Sequence, residues 1–195
     1  MSGVVIVKTG TANLASVISA VERLGVQPVI TTDAAVISGA DRLILPGVGT
    51  LAAAMASLRE QGLVRVLSER ISDGRPVLAI CLGLQLLLEG SEESPGVPAL
   101  NIAPGVATRF ADVRTPHMGW ARVTSSGGGG FAYFAHSYRL TQAPPGWSVS
   151  WADHGGPFVA SMSRGRILAC QFHPELSGPW GAALLRDWLT QGEAN

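Results

Sequence analysis

The chain has 195 residues, the length of one domain with a sizeable core. Fourteen basic and fourteen acidic side chains cancel, and no block of Lys or Arg is present, which argues against nucleic acid and anionic membranes as partners. Charged residues make up only 14% of the chain, against about 25% in an average soluble domain. This shortfall leaves room for a surface that is buried against another protein.

The N-terminal segment and the cysteines predict the compartment. Met1-Ser2-Gly3 and the apolar run Val4–Val7 lack the charge and the length of a signal peptide. The longest near-continuous apolar segment, Val77–Leu88, falls well short of the roughly 20 residues that span a bilayer. Cys81 and Cys170 lie far apart without a C-x-x-C motif, which argues against a zinc site. We expect a cytosolic protein without a metal or a cofactor.

Strands and helices alternate in the first half of the chain. The apolar runs predict strands at Val4–Val7, Val29–Thr31, Leu43–Leu45 and Val77–Ile80. Apolar residues at helical spacing predict a helix from the cap Asn13 to Gly25, one started by Thr50, and one from Leu63 to Ile71. Such alternation implies right-handed crossovers and a mostly parallel sheet.

The second half is rich in short β-like runs. These are Val106–Phe110, Ala132–Ala135, Ser148–Trp151, Phe158–Met162 and Ile167–Phe172, and they form an antiparallel extension of the sheet or a small second one. The glycine-rich segment Ser125–Gly130 predicts a flexible hairpin tip, and an amphipathic helix from Trp180 to Leu189 closes the chain. The predicted fold is an α/β three-layer sandwich with a mostly parallel central sheet and an antiparallel extension, in one domain over residues 1–195.

The stretch from Pro76 to Leu88 carries the candidate nucleophile. Cys81 ends a buried strand, and Gly83 opens an apolar run of helical length up to Leu88. Ala79 and Gly83 flank the cysteine at the spacing of a nucleophile elbow, whose tight turn tolerates only small neighbours. A lone cysteine in an apolar segment is also typical of a buried core residue.

A nucleophilic cysteine needs a base and a group that orients the base. His173 and Glu175 stand in Q-F-H-P-E, where Pro174 fixes a turn that lets the carboxylate reach one imidazole nitrogen. The alternative is an ordinary turn at the end of a strand.

A glycine loop supplies candidate oxyanion donors. Gly47, Val48 and Gly49 follow the strand Leu43–Leu45, and the carboxyl ends of parallel strands share one edge with Cys81. The backbone N–H groups of this loop, joined by that of Leu82, are predicted to face a developing oxyanion.

The P-G-V-G loop, the C-L-G-L-Q elbow and the Q-F-H-P-E turn together resemble the class I (triad) glutamine amidotransferases. The segments T-P-H-M-G-W (Thr115–Trp120) and Y-F-A-H-S-Y (Tyr133–Tyr138) are similar, more narrowly, to the glutaminase subunits of imidazole glycerol phosphate synthases. The stretches N-L-x-S-V at Asn13–Val17 and S-E-E at Ser91–Glu93 extend this resemblance over nearly the whole chain.

This resemblance implies that Cys81 attacks the carboxamide of glutamine, that His173 shuttles protons and that Glu175 orients His173. Gln85 and the backbone at Ser137 and Tyr138 would hold the glutamine. It also implies a barrel-shaped synthase (cyclase) subunit that forms a heterodimer with this chain and receives ammonia through a channel, in histidine biosynthesis. The residues implied at that interface are Asn13, Met118 and Trp120.

Three positions depart from the family pattern, and all three tend to face the synthase subunit. Lys8 stands in the opening motif, Ala121 follows H-M-G-W, and Leu176 follows H-P-E. Alternative functions are therefore a non-catalytic regulatory or binding module, a glutaminase that serves a different synthase, and a free-standing cysteine hydrolase or peptidase. His117 and His136 are predicted as interface and scaffold residues, and Cys170 as a structural one.

Overall fold

A computed structural model describes residues 3–10, 14–126 and 128–191. The strands in chain order are β1 (Val4–Val7), β2 (Val29–Thr31), β3 (Arg42–Gly47), β4 (Val77–Cys81), β5 (Gly90–Ser91), β6 (Val106–Arg109), β7 (His117–Ser125), β8 (Gly128–His136), β9 (Tyr138–Arg139), β10 (Ser148–Asp153), β11 (Pro157–Arg164) and β12 (Ile167–Cys170). The helices are α1 (Leu14–Arg23), α2 (Ala34–Gly39), α3 (Leu51–Glu60), α4 (Leu63–Ser72), α5 (Leu82–Leu86) and α6 (Gly178–Thr190), and a 3₁₀ turn covers Pro174–Leu176.

The main sheet has nine strands in the order β2-β1-β3-β4-β12-β11-β10-β7-β8. The part from β2 to β12 is parallel, and the part from β11 to β8 continues it with antiparallel pairing. The strands β5, β6 and β9 form a separate small sheet. Both arrangements predicted for the second half therefore occur, because β6 joins the small sheet and the other runs extend the main one.

Helices cover both faces of the parallel half. The strands β1, β3 and β4 are buried along their whole length, and their side chains alternate between two cores. One core contains Leu43 and Val77 with apolar residues of α2 to α5. The other contains Ile44 and Leu78 with apolar residues of α1 and α6. The predicted three-layer α/β fold is confirmed.

Several elements differ from the sequence-based expectation. Helix α2 was not predicted, although Asp33 caps it by accepting hydrogen bonds from the N–H groups of Ala35 and Val36. Strand β7 begins at His117, within the T-P-H-M-G-W segment, and was not among the predicted strands. Asn13 lies outside the described residues.

The paired strands of the glycine-rich hairpin extend further than predicted. Strand β8 begins at Gly128, so the turn is narrower than the expected tip Ser125–Gly130. A Cβ atom at Gly129 would lie 2.1 Å from the carbonyl oxygen of Val123, and one at Gly130 would lie 2.4 Å from the Trp180 ring. Gly129 therefore allows close packing within the sheet, and Gly130 allows it against α6.

None of the helices within the described ranges has the length and apolar character that a bilayer crossing requires. The cytosolic location stays a prediction of the sequence.

Candidate active site

Cys81 ends β4 in a sharp turn. Its backbone has φ 57° and ψ −109°, a positive φ that is uncommon for a residue with a side chain. The helix expected from Gly83 to Leu88 covers Leu82–Leu86 instead. It ends early because the carbonyl groups of Leu87 and Leu88 accept hydrogen bonds from residues 101–103 and do not continue the helix.

Small residues beside Cys81 are required by the packing of this turn. A Cβ atom on Gly83 would lie 2.2 Å from the carbonyl oxygen of Leu45 and 3.4 Å from Cβ of Ala79. Only glycine avoids the first contact, and a small side chain at position 79 keeps the second acceptable. The predicted elbow is confirmed.

His173 and Glu175 form the pair that the sequence predicts. Nδ1 of His173 lies 2.8 Å from Oε1 of Glu175, whose side chain is only 3% exposed. The backbone N–H of His173 donates to the carbonyl of Tyr133, which ties the turn after β12 to β8. Oε2 of Glu175 has no hydrogen-bond partner among the described residues, so the imidazole is the main partner of this carboxylate.

This pairing raises the pKa of His173 to about 10. Burial opposes the charged imidazolium, but hydrogen bonds to Cys81 and Glu175, together with their negative charges, outweigh the cost of burial. The imidazole therefore holds a proton at neutral pH, beside the sulfur of Cys81.

The glycine loop lies against the turn at Cys81. Gly47 pairs with Cys81 across the parallel strands β3 and β4. A Cβ atom on Gly47 would lie 3.0 Å from Cβ of Leu82 and 3.3 Å from the backbone N of Gly83. Gly49 has φ 85°, in the left-handed region that glycine adopts readily.

A cavity of about 320 Å³ opens beside Cys81 and His173. The predicted substrate and oxyanion residues that line it are Val48, Gly49, Leu82, Gln85, Ser137 and Tyr138. Gly47 and Glu175 instead line a second cavity of about 200 Å³, which also reaches His173. Met118 lines the first cavity, whereas Trp120 lines neither of the two.

Glu93 also lines the first cavity, and our sequence analysis did not assign it to the site. Its Oε2 accepts a hydrogen bond of 3.1 Å from the backbone N–H of Leu51, the first residue of α3. The carboxylate therefore has a fixed position at a helix N-terminus. The S-E-E segment contributes to the family resemblance, but the sequence did not indicate that this segment reaches the cavity.

Two further buried histidines lie at the cavity, and His136 is one of its lining residues. His117 and His136 contact each other through Nδ1 and Nε2 at 3.2 Å, and they pack among Phe110, Phe134 and Phe158. Burial lowers the pKa of His117 to about 4 and that of His136 to about 3, so both are neutral at pH 7. The scaffold interpretation is confirmed, but His117 is too buried for the interface position that was also considered.

An apolar patch lies on the outer face of the β7–β8 hairpin. Met118, Trp120 and Phe131 are 66%, 56% and 60% exposed, and Leu176 nearby is 42% exposed. Trp120 is therefore not a core residue, and its ring contacts Tyr133 edge-on. We call these four exposed residues the apolar patch.

The fold and the site define a class of protein: α/β proteins that present a cysteine at a strand-to-helix elbow beside a histidine–glutamate pair. The chain belongs to the glutamine amidotransferase class-I family, whose family model matches residues 5–191.

Two relatives narrow this class. The chain is 43% identical over 197 residues to "Imidazole glycerol phosphate synthase subunit HisH" of Salmonella typhimurium, with 95% of this chain and 98% of the relative covered. It is 40% identical over 199 residues to the protein of the same name from Mycolicibacterium paratuberculosis, with 95% and 96% covered.

Solved structures share the fold. One described as "Crystal structure of glutamine amidotransferase" superposes with a TM-score of 0.81 at 24% identity, covering 98% of this chain and 100% of the other. A glutamine amidotransferase from Thermotoga maritima gives a TM-score of 0.62 at 12% identity, covering 99% of this chain and 84% of the other.

Proposed function

We propose that this chain is the glutaminase subunit of an imidazole glycerol phosphate synthase. It hydrolyses glutamine to glutamate and delivers ammonia to a synthase partner, in histidine biosynthesis. The observation that carries the proposal is the cavity that Cys81 and His173 both line, with Glu175 bound to Nδ1 of His173. The relatives named above support the choice of synthase. The proposal treats residues 1–195 as one amidotransferase domain.

In the proposed mechanism, the thiolate of Cys81 attacks the carboxamide carbon of glutamine and forms a tetrahedral intermediate. The protonated His173 gives its proton to the amide nitrogen, the C–N bond breaks, and ammonia leaves a γ-glutamyl thioester. Water then attacks the thioester while His173 takes one of its protons, and glutamate leaves as the C–S bond breaks. Glu175 keeps the imidazole oriented through Nδ1 throughout.

Backbone groups are assigned to the oxyanion and to the substrate. The N–H of Leu82 and those of the loop Gly47, Val48 and Gly49 are the proposed oxyanion donors, each typically worth about 10²–10³ in rate. Gln85 and the backbone of Ser137 and Tyr138 hold the glutamine. The carboxylate of Glu93 is suited to the α-ammonium group of the same ligand.

The proposed partner is a barrel-shaped synthase (cyclase) subunit that forms a heterodimer with this chain and takes up ammonia through a channel. Among the described residues, four of the eight exposed large apolar side chains form the apolar patch, and these include the three most exposed. Met118 belongs both to that patch and to the wall of the cavity. A partner that covers the patch would therefore close the cavity from outside. Asn13 stays a predicted interface residue, as do Met118 and Trp120.

Two of the three departures are exposed. Lys8 and Leu176 can therefore contribute to docking, whereas Ala121 is half-buried and packs against the core. Leu176 adds an apolar side chain to the patch where the family pattern has lysine, so its contact with the partner is proposed to be apolar.

The decisive experiment measures ammonia release by the purified chain from glutamine, alone and with the synthase subunit and its nucleotide substrate. We expect slow release alone and a large stimulation in the complex. Equal rates in both conditions would contradict the coupling. No release in either would instead favour the non-catalytic module.

The apolar patch is tested by Trp120→Ala, with Val36→Ala as the control, because Val36 is also exposed (41%) but lies on α2. We expect the Trp120 variant to weaken subunit binding by about 30-fold, as for an interface hot spot, and the control to leave it unchanged. Equal affinities of the two variants would contradict docking through the patch.

A further inference from the structure

Gln171 is a buried polar residue to which the proposed mechanism gives no role. Its side chain is fully buried. The register between β12 and β4 pairs Cys170 with Ile80, so Gln171 lies next to Cys81 at the ends of neighbouring strands. Its Nε2 lies 3.8 Å from Sγ of Cys81, within the range of hydrogen bonds to sulfur.

The orientation of this amide follows from the hydrogen bonds behind it. The backbone carbonyl of Tyr138 can only accept, so the Gln85 atom 3.3 Å away must be Nε2. That same nitrogen lies 3.2 Å from Gln171, which must therefore present Oε1 to it. Nε2 of Gln171 is then left facing the sulfur.

A hydrogen bond from His136 supports the same donor and acceptor assignment. Its Nδ1 lies 2.8 Å from the same carbonyl of Tyr138, so the ring must carry its proton on Nδ1. His117 then donates from Nδ1 to the free Nε2 of His136. The Tyr138 carbonyl thus accepts from two neutral side chains, and this fixes its position and with it the position of Gln85.

We propose that Gln171 is a further catalytic residue, whose amide N–H donates to the sulfur of Cys81 and stabilises the thiolate, and that Gln85 and His136 are the positioning residues that keep this N–H directed at the sulfur. The inference rests on the proposed role of Cys81 as nucleophile. A hydrogen bond to the charged form favours ionisation of the thiol. The amide is neutral, so it does this without competing with Glu175 for the proton on His173.

The test measures the rate at which iodoacetamide alkylates Cys81 as a function of pH, without glutamine, in a Cys170→Ala background that leaves one thiol. In Gln171→Met, which keeps the length of the side chain but lacks the donor, we expect the midpoint of the profile to rise by about 0.5–1 pH unit. We also expect kcat for glutamine to fall by about tenfold while KM changes by less than about twofold.

The other titratable groups near the sulfur stay in place in this variant. They are His173 and Glu175 after β12, His136 on β8, Tyr138 on β9, and Glu93 beside the cavity. The matched control is Gln61→Met, which removes an amide donor to Ser57 at a distant site and should not move the midpoint.

A second measurement needs no variant of Gln171, so its result does not depend on whether Gln171→Met folds. In amide spectra of the chain labelled with ¹⁵N at glutamine side chains, one NH₂ group should titrate with the alkylation midpoint of Cys81, and it should lose this dependence in Cys81→Ala. An unmoved midpoint in folded Gln171→Met, or no titrating amide, would overturn the inference. If the parent chain neither reacts at Cys81 nor releases ammonia, it is the proposed function that fails.

Discussion

Buried histidines flank the cavity in both halves of the main sheet, but their charge states are opposite. His173, after the parallel strand β12, holds a proton because the sulfur of Cys81 and the Glu175 carboxylate, 2.8 Å away, both favour the charged imidazolium. His117 and His136, on the antiparallel hairpin, are surrounded by phenylalanine rings and stay neutral. The difference shows that the neighbouring charge, more than burial itself, sets the protonation state.

The two halves also differ in their exposure. The strands β1, β3 and β4 are buried on both faces and fix the positions of the reactive groups. The β7–β8 hairpin buries one face and exposes the other, which carries most of the apolar patch. The cavity forms where the two halves meet, so reactivity and docking are assigned to different parts of one sheet.

The largest effect is expected at the proposed nucleophile in the parallel half. Cys81→Ala should lower glutaminase kcat by at least about 10⁴-fold, because Cys81 is the only thiol among the described residues that line the cavity. Ammonia release in the complex measures this loss. The control Cys170→Ala, on the neighbouring buried strand β12 and outside the lining of the cavity, should retain activity within a few-fold.

The charge state of His173 is tested next. Glu175→Gln keeps the shape of the side chain but removes the negative charge, so the pKa of His173 should fall and kcat should drop by about 10²-fold. The imidazole titration followed by NMR and the steady-state rate report the two effects. Glu69→Gln, on the exposed face of α4, should change neither of them. An unchanged titration in Glu175→Gln would mean that Cys81, and not the carboxylate, keeps the proton on His173.

The rigidity of the parallel half is tested at Gly83. Gly83→Ala places a methyl group 2.2 Å from a backbone oxygen, so the free energy of unfolding should fall by about 2 kcal/mol or more. Urea denaturation measures this change. Gly39→Ala is the control, because a Cβ atom there meets nothing within 4 Å, and its stability should change by less than about 1 kcal/mol.

The smallest effect is expected in the dependence of folding stability on pH. The pKa of His173 is raised, so its ionisation stabilises the folded state. This contribution to the free energy of unfolding is fully present below about pH 6.5 and is lost as the pH rises toward about 10. The pKa values of His117 and His136 are lowered, so stability should also fall below about pH 6.5 toward pH 4 and pH 3.

Urea midpoints across this range should therefore be highest near neutral pH. In His173→Gln the fall of the urea midpoint at alkaline pH should become smaller, while its fall at acid pH remains. If both falls became smaller together, the alkaline fall could not be assigned to His173 and the acid fall to His117 and His136.

The residues of the parallel half could be predicted from the sequence because their signals are local. The apolar run before Cys81, the small residues around it and the Q-F-H-P-E turn each carry their own steric or chemical reason. The cap at Thr50 was also predicted, and its side chain accepts a hydrogen bond from the N–H of Ala53. Such features depend on neighbours in the chain.

The antiparallel half was predicted less well because its strands depend on distant partners. Strand β7 pairs with β8 from His117 to Ser125, and nothing in T-P-H-M-G-W alone indicates that pairing. The contact of Gln171 with Cys81 likewise follows from the register of two strands that lie far apart in sequence. Sequence reasoning treated this glutamine only as part of a motif.

The positive φ of Cys81 strains the backbone at the residue whose side chain the proposed reaction requires. At most positions glycine destabilises a protein relative to alanine, but alanine at position 81 would keep the strained backbone and glycine would release it. Cys81→Gly should therefore unfold at higher urea concentration than Cys81→Ala. The residue that is proposed to supply the reactive sulfur therefore occupies a position where glycine would give the more stable fold.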